Sequence, residues 1–339
     1  MVYTYFYLNV ILWNSCIAIY KYYLAKKEIN MAEYKTDLLI MGSGPAGYTA
    51  GIYAARAGVN SIIISGNQKG GQLTLSNEVE NYPGFIEPIT GFELMSKMHQ
   101  QAENKGVRII EDEISEVDFY DHPFTCSSKA GNSYQSQAII IATGASVKWL
   151  NLASEQKYIG KGVSSCATCD GFFYKEKEVA VIGGGNTAAE EALYLTNFVN
   201  KVYLIHRRHA FRADNILQQR IFDNRKIIVV WNSVVDEVIG KEDPLEITGI
   251  KIRNVKTDSI KYLDVSGIFI AIGHHPNTEL FRNYLELNSD GYIITKENGC
   301  STNIKGVFAA GDVCDPQYRQ AIIAAGSGAK AALEAIRFL

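Results

Sequence analysis

The chain has 339 residues, 47% of them hydrophobic and 20% charged, with a formal net charge of -3. It is long enough for two ordinary domains with separate cores and has a globular composition, which excludes a disordered or fibrous polymer. The slight negative charge offers no clustered basic surface, so no nucleic-acid partner is expected, and six cysteines at irregular spacing are too few for a secreted disulfide scaffold.

From Val2 to Tyr20 no residue is charged, and Lys21, Lys26 and Lys27 follow. As a helix this run would span roughly 28 Å, close to the roughly 30 Å hydrocarbon core of a membrane. Thr4, Asn9, Asn14 and Ser15 weaken its apolar character. The lysines follow the run instead of preceding it, unlike a secretory signal, and the arginine of a transit peptide is missing. Met31 stands just ahead of the first strand as a second candidate start. Residues 1–34 are read as an N-terminal extension: a dispensable leader upstream of Met31, an anchor held on the cytoplasmic side by its lysines, or a docked terminal helix.

Asp37-Leu38-Leu39-Ile40-Met41 reads as a buried parallel strand, followed by Gly42-Ser43-Gly44-Pro45-Ala46-Gly47 and a helix from Tyr48 to Ala57. Strand, G-x-G-x-x-G and helix in that order form a dinucleotide fingerprint. Its glycines let the backbone approach a pyrophosphate, and the helix N-terminus receives the charge. The second strand, Ser61 to Ser65, ends in Ser65-Gly66 where an acid for the ribose would be expected, which argues against simple NAD binding. Gly70-Gly71-Gln72-Leu73 and Glu80-Asn81-Tyr82-Pro83-Gly84-Phe85 are loops carrying side-chain amides, with ordinary turn chemistry as the alternative. Residues 91–105 have helical spacing, and 107–126 read as strands of a meander that includes Val117. The strand Ala138 to Ile141 ends in the turn Ala142-Thr143-Gly144-Ala145, at the end where open α/β sheets place ligands.

Ser165-Cys166-Ala167-Thr168-Cys169-Asp170 carries two thiols in C-x-x-C spacing on one helical turn. A thiol near a helix N-terminus has a lowered pKa, so the pair suits disulfide exchange in a reducing compartment. Half a zinc site is the alternative. Cys16, Cys126, Cys300 and Cys314 stand alone, however, and no metal is expected.

A second strand-turn-helix unit follows: Glu178 to Ile182, then Gly183-Gly184-Gly185-Asn186-Thr187-Ala188, then a helix from Ala189 onward. Its partner strand Val202 to Ile205 ends in His206-Arg207-Arg208, with Arg212 a turn later. Arginines there would pair with a 2'-phosphate that an acid would repel, so NADPH is expected over NADH. Residues 226–272 read as further strands closing on Ile272-Gly273, and His274-His275 as a linker and not a metal site. Near the end, Gly306 to Gly311 is a strand finishing in Gly311-Asp312, and Arg319-Gln320-Ala321 opens a last helix. Asp312 is placed to bind a hydroxylated chain.

Two dinucleotide fingerprints flanking a C-x-x-C, with the terminal Gly-Asp segment, resemble the flavin-dependent pyridine nucleotide-disulfide oxidoreductases. Within them the match is to the low-molecular-weight thioredoxin reductases of bacterial type. The matching residues are Gly42 to Gly47, Gly71-Gln72, Glu80 to Gly84, Cys166 to Gly171, Gly183 to Glu191, His206 to Arg208, Ala309 to Val313 and Arg319 to Ala321. The resemblance implies an α/β fold of two Rossmann-like, three-layer ββα domains, with the NADPH domain inserted into the FAD domain. FAD-binding segments are expected at 35–147 and 273–339 and the NADPH domain at 148–272.

The same resemblance implies that FAD is held by Gly42, Ser43, Gly44, Pro45, Ala46, Gly47, Ser65, Gly66, Gly71, Gln72, Asn81, Val117, Thr143, Gly144, Ala145, Gly311, Asp312, Arg319, Gln320 and Ala321. NADPH would be held by Gly183, Gly184, Gly185, Asn186, Thr187, His206, Arg207, Arg208, Arg212, Ile272 and Gly273. It assigns Cys169 to the flavin side and Cys166 to attack on thioredoxin, with Asp170 as general acid. A homodimer follows from it as well, while the single tight cysteine pair, suited to a reducing compartment, points to the cytoplasm. Alternatives are a flavoprotein reductase of another thioredoxin-fold or peroxiredoxin-like partner, and a flavin and nucleotide sensor without turnover.

Overall fold

The computed structural model describes residues 32–76 and 78–339. The apolar run at 2–20 and Met31 lie outside the described residues. Strand β1 (Glu33–Met41) leads to helix α1 (Pro45–Arg56), β2 (Ser61–Ile64) and α2 (Gly91–Asn104). Next come β3 (Arg108–Ile110), β4 (Ile114–Asp118), β5 (Phe124–Ser128), β6 (Ser133–Ile141) and β7 (Ala145–Val147). Short helix α3 (Ala153–Lys157) and β8 (Val163–Ser164) bring the chain to α4 (Ala167–Asp170). The next stretch is β9 (Glu178–Gly183), α5 (Asn186–Leu195), β10 (Lys201–Ile205), α6 (Asn215–Asp223) and β11 (Ile227–Val230). The chain ends through β12 (Ser233–Glu242), β13 (Leu245–Asn254), β14 (Ile260–Leu263), β15 (Gly267–Ala271), β16 (His274–Pro276), β17 (Val307–Ala309) and α7 (Ala321–Phe338).

Seven strands make the first sheet, in the order β3-β2-β1-β6-β5-β4, with β17 also pairing β6. β1, β2, β3, β6 and β17 are parallel, whereas β4 and β5 form an antiparallel meander. The second sheet, β11-β10-β9-β15-β8, is parallel throughout, and β12 to β14 form an antiparallel sheet of three strands. All of the second sheet and the three-stranded sheet lies between β7 and β16 in the chain, and those two strands pair with each other as a ribbon. His274 and His275, read as a linker, stand on that ribbon.

Strand alternation explains why these segments are continuous apolar runs. Leu38 and Ile40 of β1 face one core with α1, α2 and α7, while Leu39 and Met41 face another with the meander. In β9, Val179 and Val181 pack under α5 and Ala180 and Ile182 against the three-stranded sheet. Both faces are covered, so the polar half of an ordinary strand pattern is missing. Each fully buried Leu or Ile contributes about 1.5–3 kcal/mol. β1 begins earlier than its apolar run, because Glu33 to Thr36 pair with Ser133 to Ser136 of β6. Both fingerprint helices begin before the expected first residues: once the chain leaves the glycine turn, Pro45 and Asn186 already take helical positions. Among the described residues no helix is long and apolar enough to cross a membrane.

Small residues let α1 and α7 cross closely. At Gly328 a Cβ would collide with the Ala46 carbonyl oxygen at the start of α1. Gly328→Val is expected to cost about 1–3 kcal/mol or more by overpacking, read as a lower denaturation midpoint. An unchanged midpoint would show that the two helices can separate without cost.

Candidate active site

The carboxyl ends of β1, β2, β6 and β17 converge. Gly42 N–H donates to Ile64 O at 2.8 Å, Ala142 N–H to Met41 O at 2.8 Å and Ala310 N–H to Ile141 O at 2.9 Å. The first glycine turn therefore meets the turns at Ser65, Ala142 and Gly311, as the fold's ligand-binding end requires. Gly42 has φ +113°, and a Cβ there would strike the Ala142 carbonyl; at Gly47 it would strike the Gly42 carbonyl. Gly44, Gly66 and Gly144 instead face open space, with nothing within 4 Å of an added Cβ. Helix α1 opens behind Gly44 without a side-chain cap, leaving its first N–H groups unsatisfied by side chains. This arrangement fits a bound pyrophosphate.

Side chains complete the wall. Ser43 Oγ donates to Ser65 O at 2.8 Å and accepts from Gly70 N–H at 2.9 Å, while Gln72 reaches the Ala145 carbonyl. Thr143 Oγ1 donates to Asn277 O at 2.8 Å and Asn277 Nδ2 returns a bond to Thr143 O at 2.8 Å. Asn81 Nδ2 donates to Gln320 Oε1 at 3.3 Å, at the uncapped start of α7. Arg319 precedes it at φ +44°, a left-handed conformation that costs a non-glycine residue energy and tends to occur at ligand sites. Asp312 follows Gly311 after β17, and burial pushes its carboxyl up to about 6, with Asp315 adding and Arg319 opposing. Val117 stands apart on edge strand β4, where its carbonyl accepts from the Tyr284 hydroxyl at 2.8 Å.

The second glycine turn repeats the geometry. Gly183 has φ +159°, and its Cβ would strike the Ala271 carbonyl, whereas Gly185 faces open space ahead of the uncapped α5. Ile272 and Gly273 leave β15 at the same end of the sheet. Arg207, Arg208 and Arg212 are exposed beyond β10, and Arg212 N–H donates to Gly184 O at 2.8 Å. None of the three makes a salt bridge among the described residues. Their charges are free for a ligand phosphate. His206 is different: it is 5% exposed, its Nε2 lies 3.1 Å from Ala210 O, and its ring fills the space where Gly184 lacks a Cβ. Burial holds its pKa down. It packs beneath the turn while the arginines face outward.

Cys166 follows the carboxyl end of β8, on the same sheet as the second glycine turn. Cys166 and Cys169 are joined in a disulfide with Cα atoms 5.3 Å apart. With each sulfur bonded to the other, neither serves as a zinc thiolate, and among the described residues no group of three or more His, Cys, Asp or Glu could hold a metal. Ser164 Oγ accepts the Cys166 N–H at 3.0 Å, and the Cys169 and Asp170 N–H groups donate to Cys166 O at 3.3 and 3.1 Å, fixing the turn. Burial raises the Asp170 carboxyl above its ordinary range, against a hydrogen bond with Ser164. A cleft of about 620 Å³ is lined by Gln72, Trp149, Cys166, Cys169, Asp170 and Phe173.

Thr168 links the two halves of the site. Its Oγ1 accepts from Gln320 Nε2 at 3.3 Å and lies 3.3 Å from Cys166 Sγ. The redox turn is thereby set against the start of α7, one residue from Arg319. His274, on the ribbon, is held down to about 4 by burial and by Arg319 and Lys148, and its Nδ1 has no partner. Sequence reasoning missed Phe172 and Phe173. They follow the cysteine pair after Asp170 and Gly171, and Phe172 is 57% exposed. Two adjacent aromatics after C-x-x-C-D-G were the available signal.

The sequence model of the pyridine nucleotide-disulphide oxidoreductase family matches residues 36–328. A thioredoxin reductase of Rickettsia conorii is 56% identical over 304 residues, covering 90% of this chain and 98% of the relative. The solved thioredoxin reductase of Giardia duodenalis is 38% identical, with a TM-score of 0.85 and coverage of 90% of this chain and 99% of that one. The Lactococcus lactis thioredoxin reductase in its FR conformation is 40% identical, covering 89% of this chain and 98% of its own, but has a TM-score of 0.60.

Proposed function

This chain belongs to the pyridine nucleotide-disulphide oxidoreductases and among them to the thioredoxin reductases, and on that premise we propose that it reduces the thioredoxin disulfide with electrons from NADPH. The family implies a flavin and a nicotinamide cofactor; the reading here is FAD at the first glycine turn and NADPH at the second. The observation that carries it is the Cys166–Cys169 disulfide, built onto the nucleotide-type sheet and hydrogen-bonded through Thr168 to the start of α7.

In this reading the uncapped start of α1, with Gly44, would hold the FAD pyrophosphate, and Asp312 its hydroxylated chain. The start of α5, with Gly185 and Thr187, would hold the NADPH pyrophosphate. Arg207 and Arg208 would take its 2'-phosphate and His206 would support their turn. Flavin, when bound, supplies two-electron transfer between the nicotinamide and the disulfide. The remaining chemistry belongs to this chain. Opening the Cys166–Cys169 bond leaves a thiolate on Cys169, and Asp170, whose acid form burial favours, gives it a proton. Cys166 then attacks one sulfur of the substrate disulfide and expels the other as thiolate. The Asp170 carboxylate takes that proton back, and the Cys169 thiolate attacks Cys166, which restores the internal disulfide and releases the second substrate sulfur as a thiolate. Phe172 offers a protein substrate an apolar surface beside the pair.

A thioredoxin cannot reach a pair turned toward the flavin side, so two arrangements of the sheets are needed. The comparisons support this: the Lactococcus lactis structure has the higher identity but the lower TM-score, 0.60 against 0.85, as a changed arrangement would produce. A homodimer, on family resemblance, and a cytoplasmic location, on the single tight cysteine pair, complete the reading.

Replacing both Arg207 and Arg208 with alanine is expected to raise the KM for NADPH on the order of 10²- to 10⁴-fold while leaving that for NADH little changed, since each of the two charge-assisted bonds contributes about 1.5–3 kcal/mol. Equal losses for both coenzymes would remove the pair from 2'-phosphate recognition.

A further inference from the structure

Thr168 stands between the two cysteines, and its hydroxyl is the middle of a chain of side-chain hydrogen bonds that ends on one of the two sulfurs. Asn81 Nδ2 donates to Gln320 Oε1 at 3.3 Å, which turns the amide nitrogen of Gln320 toward Thr168. Gln320 Nε2 then donates to Thr168 Oγ1 at 3.3 Å. Thr168 Oγ1 lies 3.3 Å from Cys166 Sγ, and a sulfur held in a disulfide has no hydrogen to give. The hydroxyl is therefore the donor and Cys166 the acceptor. Among the described residues the Cys169 sulfur receives no such bond. Its neighbour in sequence is Asp170, the proton donor of the proposed reaction. The two sulfurs thus differ in their surroundings although they share one turn.

We propose that the Thr168 hydroxyl selects Cys166 as the sulfur that carries negative charge once the pair is open, and so makes it the nucleophile toward the substrate. The inference rests on the pair cycling between disulfide and dithiol. A neutral disulfide sulfur is a weak acceptor, whereas a thiolate is a strong, charged one. The bond therefore strengthens when Cys166 ionises, and it favours the ionised form. Thr168 and Cys166 are two residues apart, so the contact is local and travels with the pair. Gln320 and Asn81 come from other parts of the chain and orient the hydroxyl where the turn meets α7. The titratable groups on the turn and against it are Asp170, Tyr174 and, on α5, Glu190 and Glu191, while Arg319 adjoins Gln320. Glu78, Lys161, Lys177 and Glu246 line the cleft beside the sulfurs. A substitution at Thr168 alters none of them, so their titrations cancel when variant and wild type are compared.

The test is the pH dependence of iodoacetamide alkylation in the dithiothreitol-reduced, flavin-loaded protein, from about pH 5 to about pH 9, with the label on each cysteine read separately by mass spectrometry. Only the thiolate is alkylated, so the midpoint of each profile follows the acidity of that thiol. Thr168→Val keeps the shape of the side chain and removes the donor. The midpoint for Cys166 is expected to move up by about half a unit to one unit, roughly three- to tenfold in the thiolate equilibrium, while that for Cys169 does not rise. Thr168→Ser retains the hydroxyl and is expected to return the Cys166 midpoint to the wild-type value. A Cys166 midpoint that does not rise, one that rises equally at Cys169, or one that serine leaves raised would each overturn the proposal. Should the valine variant not fold, Thr168→Ala removes the same donor at an exposed position and is judged by the same criteria. Asp170 titrates alike in every variant and cannot mimic a shift confined to Cys166. Dithiothreitol opens the pair whatever the physiological substrate, so failure of thioredoxin turnover and failure of this inference are separate results.

Discussion

Cys166→Ser is expected to leave reduction of the bound flavin by NADPH intact while thioredoxin turnover falls by roughly three orders of magnitude or more, the scale of losing a covalent nucleophile. The two activities separate because they use different surfaces. On the proposed reading NADPH would be held at the start of α5 and the flavin at the start of α1, whereas the substrate would need a sulfur that can leave the Cys169 side. Serine keeps the hydrogen bond of the residue 166 N–H to Ser164 and the turn that follows. Stopped-flow absorbance of the flavin and a steady-state thioredoxin assay measure the two halves. Undiminished thioredoxin turnover would remove Cys166 from the reaction.

For Asp170→Asn the expected loss is about 10²- to 10⁴-fold in turnover, the usual weight of a positioned general acid. Burial favours the protonated carboxyl, and the Ser164 hydrogen bond only partly opposes it. In the wild type, turnover should therefore decline as pH rises through this raised pKa, because the acid form is lost. Asparagine cannot ionise, so that declining limb should vanish from the kcat profile along with most of the rate. If the variant kept both the limb and the rate, Asp170 would not be the proton donor.

Legibility from sequence followed locality. A parallel strand, a glycine turn and a helix are adjacent in the chain, so both fingerprints and the runs Leu38 to Met41 and Val179 to Ile182 could be read directly. The glycines could also be read, because a left-handed or crowded backbone position admits little else, as at Gly42 and Gly183. Contacts between distant segments could not. The Gln320–Thr168 hydrogen bond joins residues 152 positions apart, and nothing in either local sequence announces it. His206 was read with the arginines because it adjoins them, yet strand alternation turns it inward beneath Gly184 while Arg207 and Arg208 face solvent. The β7–β16 ribbon belongs to the same class, since its strands lie about as far apart in sequence as the whole second sheet is long.

The most direct measurement is NADPH oxidation by the purified, flavin-loaded protein with a disulfide dye or insulin as final acceptor, with and without added thioredoxin. A rate that depends strongly on thioredoxin is the expected result. If NADPH bleaches the flavin but no thioredoxin accelerates turnover, the assignment of thioredoxin as the substrate is contradicted.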